Sequence, residues 1–367
     1  MTYLDYAATA PMLGCVKKAM HEAEETFFAN ASALHTPGHL AMNEIEKCRA
    51  LLADEIGALP EEIIFTSGAS ESNNTVMHIF EGCKIEASPY EHHSILEAAK
   101  VYGGDDLPRL YSWMLANNEL GDFLELPKIE VTPLDNDRLS SATDKRSAYL
   151  HSDLTQVLGK IPLNVDKLGL DYATFSAHKI GGPIGVGALY VRKGVPFRPL
   201  IIGGNQENKR RGGTYNTVGI IGFGAALENM HKMDWLKTFK TKVLGLRNEL
   251  ARRILAEIPG SSINTDMREG KSLPNILNVS FAAAEGESIQ LYLDAEGIIV
   301  STGSACAAGD IKPSHVLMAK TGDAEVAHSS IRFSFGVDST MADVEHVMNV
   351  LPGIIKRLQG MSTIDLN

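Results

Sequence analysis

Lys179 stands in the stretch 171–187, DYATFSAHKIGGPIGVG. An apolar-leaning run with Tyr172, Ala173 and Phe175 leads into Ser-Ala-His-Lys, and glycines follow at 181, 182, 185 and 187. The pattern predicts a short buried strand ending in small and polar residues, with Lys179 at the turn. Glycines just beyond it let backbone come close to a bound group. A lysine held there can be desolvated, which lowers its pKa and frees the amine as a nucleophile for a carbonyl. An isolated HKxGG is more often a surface lysine in a glycine-rich turn, so Lys179 is judged with the other polar strand ends. The stretch 61–80, EEIIFTSGASESNNTVMHIF, reads as a buried strand, a small-residue turn at 66–70 and a helix from about Glu71. Such a turn aims free backbone N–H groups and a positive dipole end at an anion, usually phosphate. It is neither GxGxxG nor a Walker loop, which argues against dinucleotides and nucleoside triphosphates. A plain strand-to-helix turn is about as good a reading of it alone.

Further candidates end other strands. SPYEHHS brings His92 and His93, whose side chains diverge, so joint metal ligation is not expected. YSWMLANNELG, 111–121, reads as an apolar strand ending in Asn117, Asn118 and Glu119. Strand 149–153 ends on Asp153, with Gln156 just after. Polar groups at the carboxyl ends of buried strands lie where α/β sheets place ligands. STGSACAAG sets Cys306 among small residues, and SSIRFSFG puts Arg332 on a strand. A buried cysteine and an ordinary ion pair are the bland readings of these two.

The elements that position these groups alternate between strand and helix through 60–230, which predicts a mostly parallel sheet covered by helices. Residues 15–28 and 43–56 read as helices, 27–39 as a loop, and 201–215 as a glycine-rich basic loop with Lys209, Arg210 and Arg211. A long amphipathic helix over 235–258, with Leu236, Phe239, Val243, Leu246, Leu250 and Ile254 on one face, predicts the link to a second domain. Strands are expected at 275–281, 297–301 and 329–336. A last helix capped by Thr340 runs to Leu358, interrupted at Pro352. Residues 121–146 carry no clear pattern.

The chain has 367 residues, 44% hydrophobic and 22% charged, enough for a large α/β domain with a second, smaller one. Its formal charge of −11 argues against a general nucleic-acid or membrane-surface binder. Cysteines at 15, 48, 83 and 306 form no CxxC pair and no zinc spacing. They read as reduced thiols of a cytoplasmic protein. No signal peptide is evident at the start, and no apolar run approaches the ~18 residues of a membrane span.

A lysine for a Schiff base, a carboxylate for a protonated ring nitrogen, an imidazole to stack on a ring, and serines at a helix start for a phosphate together suit pyridoxal 5'-phosphate. The motifs YLDYAATAP, IIFTSGASESNN, EHHSI, MLANNELG, HSDLTQVLGK, SAHKIGGPIGVGALYVRKG, RRGGT, PNILNVSF, STGSACAAG and AHSSIRFSFG carry a family resemblance. In that order, the chain resembles the cysteine desulfurases of the class V pyridoxal-phosphate family. SAHK with GSAC is the most specific pair. GSAC and the spacing of Cys306 from Arg332 resemble the branch with a long catalytic-cysteine loop, which commonly feeds iron–sulfur assembly and tRNA thiolation.

The resemblance implies the transferase fold type I. The large domain, 15–234, would hold a mostly parallel seven-stranded sheet. A smaller α+β domain, 1–14 with 235–367, would carry the cysteine loop. Lys179 would bind the cofactor and shuttle protons. Asp153 would pair with the ring nitrogen, Gln156 would bond the ring hydroxyl, and His92 would stack on the ring and act as acid or base. Ala69, Ser70, Ser176 and His178 would hold the phosphate, with Thr214 reaching it from the neighbouring subunit of a homodimer. Asn118 and Arg332 would hold the carboxylate of L-cysteine. Cys306 would take the sulfur as a persulfide for an acceptor or scaffold protein, with His92 helping to deprotonate it.

The chain departs from the family pattern in three places. Ser70 stands for the usual threonine, and Ala31 for a usual proline. The stretch from His92 to Asn118 is short, and that from Asn118 to Asp153 long. The alternatives are a selenocysteine lyase or other β-lyase of the same class, and a non-catalytic or weakly active partner in sulfur transfer.

Overall fold

The computed structural model describes residues 1–130, 132, 146–302 and 313–361. Residues 11–115 and 124–233 form the larger of two compact units; residues 1–10, 116–123 and 234–367 form the smaller. The segment 116–123, which contains Asn118, groups with the smaller unit, whereas the sequence reading kept it in the large domain.

In chain order the strands are β1 (Thr2–Tyr3), β2 (Ile63–Thr66), β3 (Cys83–Ala87), β4 (Asp106–Ser112), β5 (Ala148–Asp153), β6 (Tyr172–Ser176), β7 (Gly187–Val191), β8 (Ser261–Ile263), β9 (Ile276–Phe281), β10 (Ile298–Ile299) and β11 (Ser330–Ser334). The helices are α1 (Gly14–Thr26), α2 (Thr36–Ile56), α3 (Ala69–Ile79), α4 (His93–Tyr102), the single turn α5 (Gln206–Lys209), α6 (Thr217–Lys232), α7 (Trp235–Thr238), α8 (Leu244–Glu257), α9 (Gly286–Ala295), α10 (His315–Thr321), α11 (Ala324–His328) and α12 (Met341–Gln359). No helix among the described residues is long and apolar enough to cross a membrane.

The larger unit is built on a sheet of order β2-β7-β6-β5-β4-β3. It has six strands among the described residues, one fewer than the seven expected. The ladders β6/β5, β5/β4 and β4/β3 are parallel, but β7 runs antiparallel to both β6 and β2, so the sheet is mixed. The link from Lys179 to β7 is too short for a crossover helix, which forces β7 to turn back. β5 and β6 are buried at every residue, as strands covered on both faces must be. On one face Val76 and Met77 from α3, and Phe80 just after it, pack with Ile64, Tyr149, Tyr172 and Leu189. The Phe80 and Tyr172 rings meet edge to face at 5.8 Å.

Two local expectations change. α2 starts at Thr36, inside the stretch read as loop, because the His35 ring accepts the Gly38 N–H at 3.1 Å and Pro37 sits in the first turn. The apolar strand expected through residue 121 ends at Ser112. The short stretch between His92 and Asn118 holds α4 and β4, one helix and one strand.

In the smaller unit β11, β9 and β8 form an antiparallel sheet, and β1 pairs with β10. The long helix expected over 235–258 is present as α7, a π-helical turn at Phe239–Val243, and α8. The π turn rotates the apolar stripe. Phe239, Val243, Leu246, Leu250 and Ile254 are buried, while Leu236 is 37% exposed. α12 runs through Pro352 without a break and begins with a Thr340–Asp343 capping box.

Candidate active site

Strand register sets the site of the larger unit. Thr66 pairs with Gly187, and Gly187 with Ser176, across three neighbouring strands. β2 and β6 therefore run parallel, one strand apart, and the turns 66–70 and 176–180 leave the sheet at one edge. Asp153 pairs with Thr174, two residues before Ser176, and ends β5 at the same edge. Neighbouring strands are ~4.8 Å apart, so these carboxyl ends lie within reach of one small ligand. Gly187 is required here: a Cβ on it would lie 2.6 Å from the Cα of Gly68.

The turn at 66–70 forms an anion cradle. Gly68 precedes α3 with φ 153°, and no side chain caps the helix. The N–H groups of Ala69, Ser70 and Glu71 open the helix without intrahelical partners. Ser70 is exposed and Ser176, at the end of β6, is 4% exposed. Burial would raise the Glu71 carboxyl, but hydrogen bonds from Arg211 and the Ser67 N–H hold it below its ordinary value. Arg211 neutralises the one carboxylate that would repel an anion there. His178 and Lys179 lie in the 3₁₀ turn Ala177–Ile180. Burial, then the charges of Lys179 and Lys160, pushes His178 down to about 4, so its ring is neutral at pH 7.

Behind this edge runs a chain of hydrogen bonds. Asp153 Oδ2 accepts from Asn73 Nδ2 at 2.9 Å, and Asp153 Oδ1 from the Thr155 N–H at 2.9 Å. Asn73 Nδ2 also donates to Ser94 Oγ at 2.9 Å, and Ser94 Oγ bonds His92 Nδ1 at 2.9 Å. His92 caps α4, its Nδ1 accepting the Ser94 N–H at 3.1 Å. A neutral His92 ring thus carries its hydrogen on Nε2. It can donate there but cannot take a proton there. The role of base toward Cys306, expected of His92 from the sequence, involves a residue outside the described ones.

Lys160 is 5% exposed; its ammonium donates to the Gln156 carbonyl at 2.8 Å and to Gln156 Oε1 at 3.2 Å. With Oε1 so engaged, the amide presents its NH2. His151 bonds Ser112 Oγ and Thr174 Oγ1, and burial holds it down to about 4 against the pull of Asp153.

Glu91 is fully buried, and its Oε1 accepts the Met114 N–H, stapling the turn before His92 to the end of β4. Burial, then the charge of Asp153, raises its carboxyl well above the ordinary value. A group raised in this way contributes stability fully present below its unfolded pKa and lost as pH climbs through the folded one. Glu91→Gln keeps the acceptor and has no charge to bury. Its melting temperature, relative to wild type, should therefore rise as pH climbs above the ordinary carboxylate range. Melting curves that stay parallel there contradict a protonated Glu91.

The sequence reading missed Asn73, Ser94, Glu91 and Lys160. Their only signal is position: each lies inside a motif already singled out, SESNN, EHHS or TQVLGK.

In the smaller unit Arg332 and Asn118 do come together. Arg332, 5% exposed, donates Nη1 to the Asn118 carbonyl at 3.0 Å and Nη2 to Asp5 Oδ1 at 2.7 Å. Its buried Nε has no hydrogen-bond partner among the described residues. An unpaired guanidinium edge of this kind suits a carboxylate. Glu119, beside Asn118, accepts from Ser314 Oγ, and burial pushes its carboxyl up to about 7 against that bond and the Arg332 charge.

Thr214 is exposed, and neither Arg210 nor Arg211 is part of an open basic patch. Arg211 pairs with Glu71, and Arg210 donates to the Glu61 carbonyl at 2.8 Å. Arg49 and Glu207 form a buried two-point ion pair at 2.7 and 2.9 Å. That pair holds Glu207, Asn208 and Lys209 at φ of 48°, 54° and 67°. Cys306 lies outside the described residues. Cys15 is exposed, and Cys48 and Cys83 are buried.

The larger unit's donors fit pyridoxal phosphate. An amine, a buried carboxylate, a neutral imidazole and an open helix start share one sheet edge. Thr155 Oγ1, buried two residues from Asp153, has no partner among the described residues and is one more donor there.

A mixed α/β sheet with a lysine turn at its carboxyl edge defines a class of protein, and residues 2–110 and 104–347 match the family model for aminotransferase class-V. The cysteine desulfurase IscS of Dictyoglomus turgidum is 40% identical, covering 98% of this chain and 96% of that protein. The cysteine desulfurase IscS 1 of Archaeoglobus fulgidus is 37% identical, covering 99% of each. The crystal structure of a NifS-like protein from Rickettsia africae matches with TM-score 0.81 and 29% identity, over 97% of this chain and 99% of that one. The chain belongs to the cysteine desulfurases of the aminotransferase class-V family.

Proposed function

We propose that this protein binds pyridoxal 5'-phosphate in its larger unit and uses it to move sulfur from L-cysteine to Cys306, releasing L-alanine. The observation that carries the reading is the chain Asp153–Asn73–Ser94–His92, beside the Lys179 turn. It fixes an anionic group and an aromatic ring at one strand edge, as a flat cationic heterocycle requires. When bound, the cofactor supplies an electron sink that makes the bond from the substrate's β-carbon to sulfur breakable.

The chain's own residues do the rest. The open turn of α3, with Ser70, Ser176 and His178, binds the phosphate. Asp153 keeps the ring nitrogen charged, Gln156 donates to the ring hydroxyl, and His92 covers the ring. Lys179 holds the cofactor through Nζ and moves protons at the same atom. Arg332, with Asn118, grips the substrate carboxylate through its open Nε edge. Cys306 attacks the substrate sulfur as a thiolate: an S–S bond forms, the C–S bond breaks, and the β-carbon gains a proton. Cysteine and one enzyme thiol thus become alanine and a persulfide, with no outside oxidant.

The persulfide sulfur then passes to an acceptor or scaffold protein. Thr214, exposed beside Gly213, completes the phosphate site of a second copy, so the active unit is a homodimer. A pyridoxal-loaded, fully active monomer in light scattering contradicts that assignment.

The test is direct. Purified protein incubated with pyridoxal phosphate should show visible Schiff-base absorbance, which Lys179→Ala loses. With cysteine it should yield sulfide and alanine in equal amounts under a thiol reductant. A protein that cannot be loaded with the cofactor overturns the reading in favour of a non-catalytic partner.

A further inference from the structure

In the smaller unit, both roots of the stretch containing Cys306 are tied to the arginine that the proposed function assigns to the substrate carboxylate. On the N-terminal side, Ser301 and Arg332 exchange backbone hydrogen bonds, N–H to carbonyl at 3.3 Å and 2.7 Å. On the C-terminal side, Ser314 Oγ does two things. It caps α10 by accepting the Leu317 N–H at 3.2 Å, and it donates to Glu119 Oε2 at 2.5 Å. Ser314 is 4% exposed and Glu119 5% exposed.

Glu119 belongs to a rigid turn. Asn117 Oδ1 accepts the N–H groups of Glu119 and Leu120, both at 2.8 Å, and the Asn117 carbonyl accepts the Gly121 N–H at 2.9 Å. Asn278 Nδ2 donates to the Glu119 carbonyl at 3.3 Å, and Thr265 Oγ1 to the Leu120 carbonyl at 2.8 Å. That turn presents the Asn118 carbonyl to Arg332 Nη1. One connected set of bonds therefore runs Ser301–Arg332–Asn118–Glu119–Ser314.

We infer that Glu119 and Ser314 are positioning residues for sulfur transfer: their buried hydrogen bond anchors the C-terminal root of the Cys306 stretch to the turn that braces Arg332. The inference rests on the desulfurase reading. An α10 helix needs only a cap at Ser314, which serine provides without a second partner. A buried carboxylate on the same hydroxyl goes beyond what capping requires. Its acceptor is the residue next to Asn118, so the anchor is referred to the substrate's own binding group. Cys306 is eight residues before Ser314 and four after Thr302, so where those roots are held limits where its sulfur can go.

Ser314→Ala, Ser314→Thr, Glu119→Leu, which removes the acceptor, and the double variant Glu119→Leu with Ser314→Ala test this in the full, cofactor-loaded protein. Two readouts are taken on each: the change in cofactor absorbance on adding cysteine, and the rate of persulfide formation at Cys306, located by mass spectrometry after alkylation. In Ser314→Ala the absorbance change should remain and the persulfide rate should fall about tenfold, the scale of a small misplacement of a reacting group. Ser314→Thr keeps cap and donor and should restore the rate. The double variant should be no slower than the slower single one, because both remove the same bond.

A Ser314→Ala protein with the wild-type persulfide rate overturns the anchor. So does one that loses the absorbance change in the same proportion, which marks general damage. So does a double variant whose two effects multiply. Wild-type protein that forms no persulfide overturns the desulfurase reading beneath it, a result distinguishable from all three.

Discussion

Cys306→Ser should still change the cofactor's absorbance on binding cysteine, yet release about a hundredfold less sulfide than wild type. The cofactor can loosen the substrate's sulfur but has no place to put it. A thiolate is the nucleophile that accepts it, and a serine hydroxyl is neither ionised at pH 7 nor reactive toward sulfur. The other thiols do not substitute. Cys48 packs against Gly224, and burial pushes its thiol up to about 12. Cys83 is 3% exposed at the start of β3, the end of the strand opposite the candidate site. Cys15 is exposed, in the first turn of α1. Serine at Cys15, Cys48 or Cys83 should accordingly leave sulfide release nearly intact. Near-normal release from Cys306→Ser points instead to a β-lyase, in which sulfur leaves without an enzyme thiol.

The residues assigned to the cofactor stand out in the sequence because their types are chemically scarce. A lysine after a buried strand, an aspartate at a strand end and a histidine before a helix each break a local rule of burial, and so stand out. Asn73, Ser94 and Glu91 break no rule from sequence alone. An asparagine inside a helix and a serine after a histidine look like ordinary surface residues until α3 and α4 are packed side by side. Lys160 looked equally ordinary, because nothing in GKIPLN says that its stem is buried beside Gln156. The sheet was readable at β5 and β6, whereas the strand expected over 111–121 overlaps β4 only at Tyr111 and Ser112. The direction of β7 depends on the short turn after Lys179, which no strand pattern records. The place of Asn118 was hidden for another reason. Its turn is held by Asn278, Thr265 and Arg332, all far along the chain, and no local pattern records such partners.

Asp153→Asn separates holding the cofactor from using it. The variant should fold and load pyridoxal phosphate, because the phosphate cradle and Lys179 are untouched. Its local structure has a ready accommodation. Asn73 Nδ2 now donates to Asp153 Oδ2, while Asn73 Oδ1 is buried without a partner among the described residues. If the new amide turns its NH2 toward Asn73, a rotation of the Asn73 amide brings that Oδ1 round to accept it. The Thr155 N–H keeps an acceptor in the remaining carbonyl oxygen. What the substitution removes is charge. A contact ion pair at the effective dielectric of a protein site is worth about 4 kcal/mol, and a loss of that size in the transition state is about a thousandfold in rate. Turnover under saturating cysteine and cofactor should therefore fall by about two to three orders of magnitude, with the melting temperature little changed. Lys179→Ala should differ in kind, since it loses the cofactor's visible band along with activity. An Asp153→Asn enzyme that turns over at the wild-type rate would show that Asp153 does not face the ring nitrogen. The chain of bonds from Asp153 to His92 would then be a structural brace for α3 and α4 and no part of the chemistry.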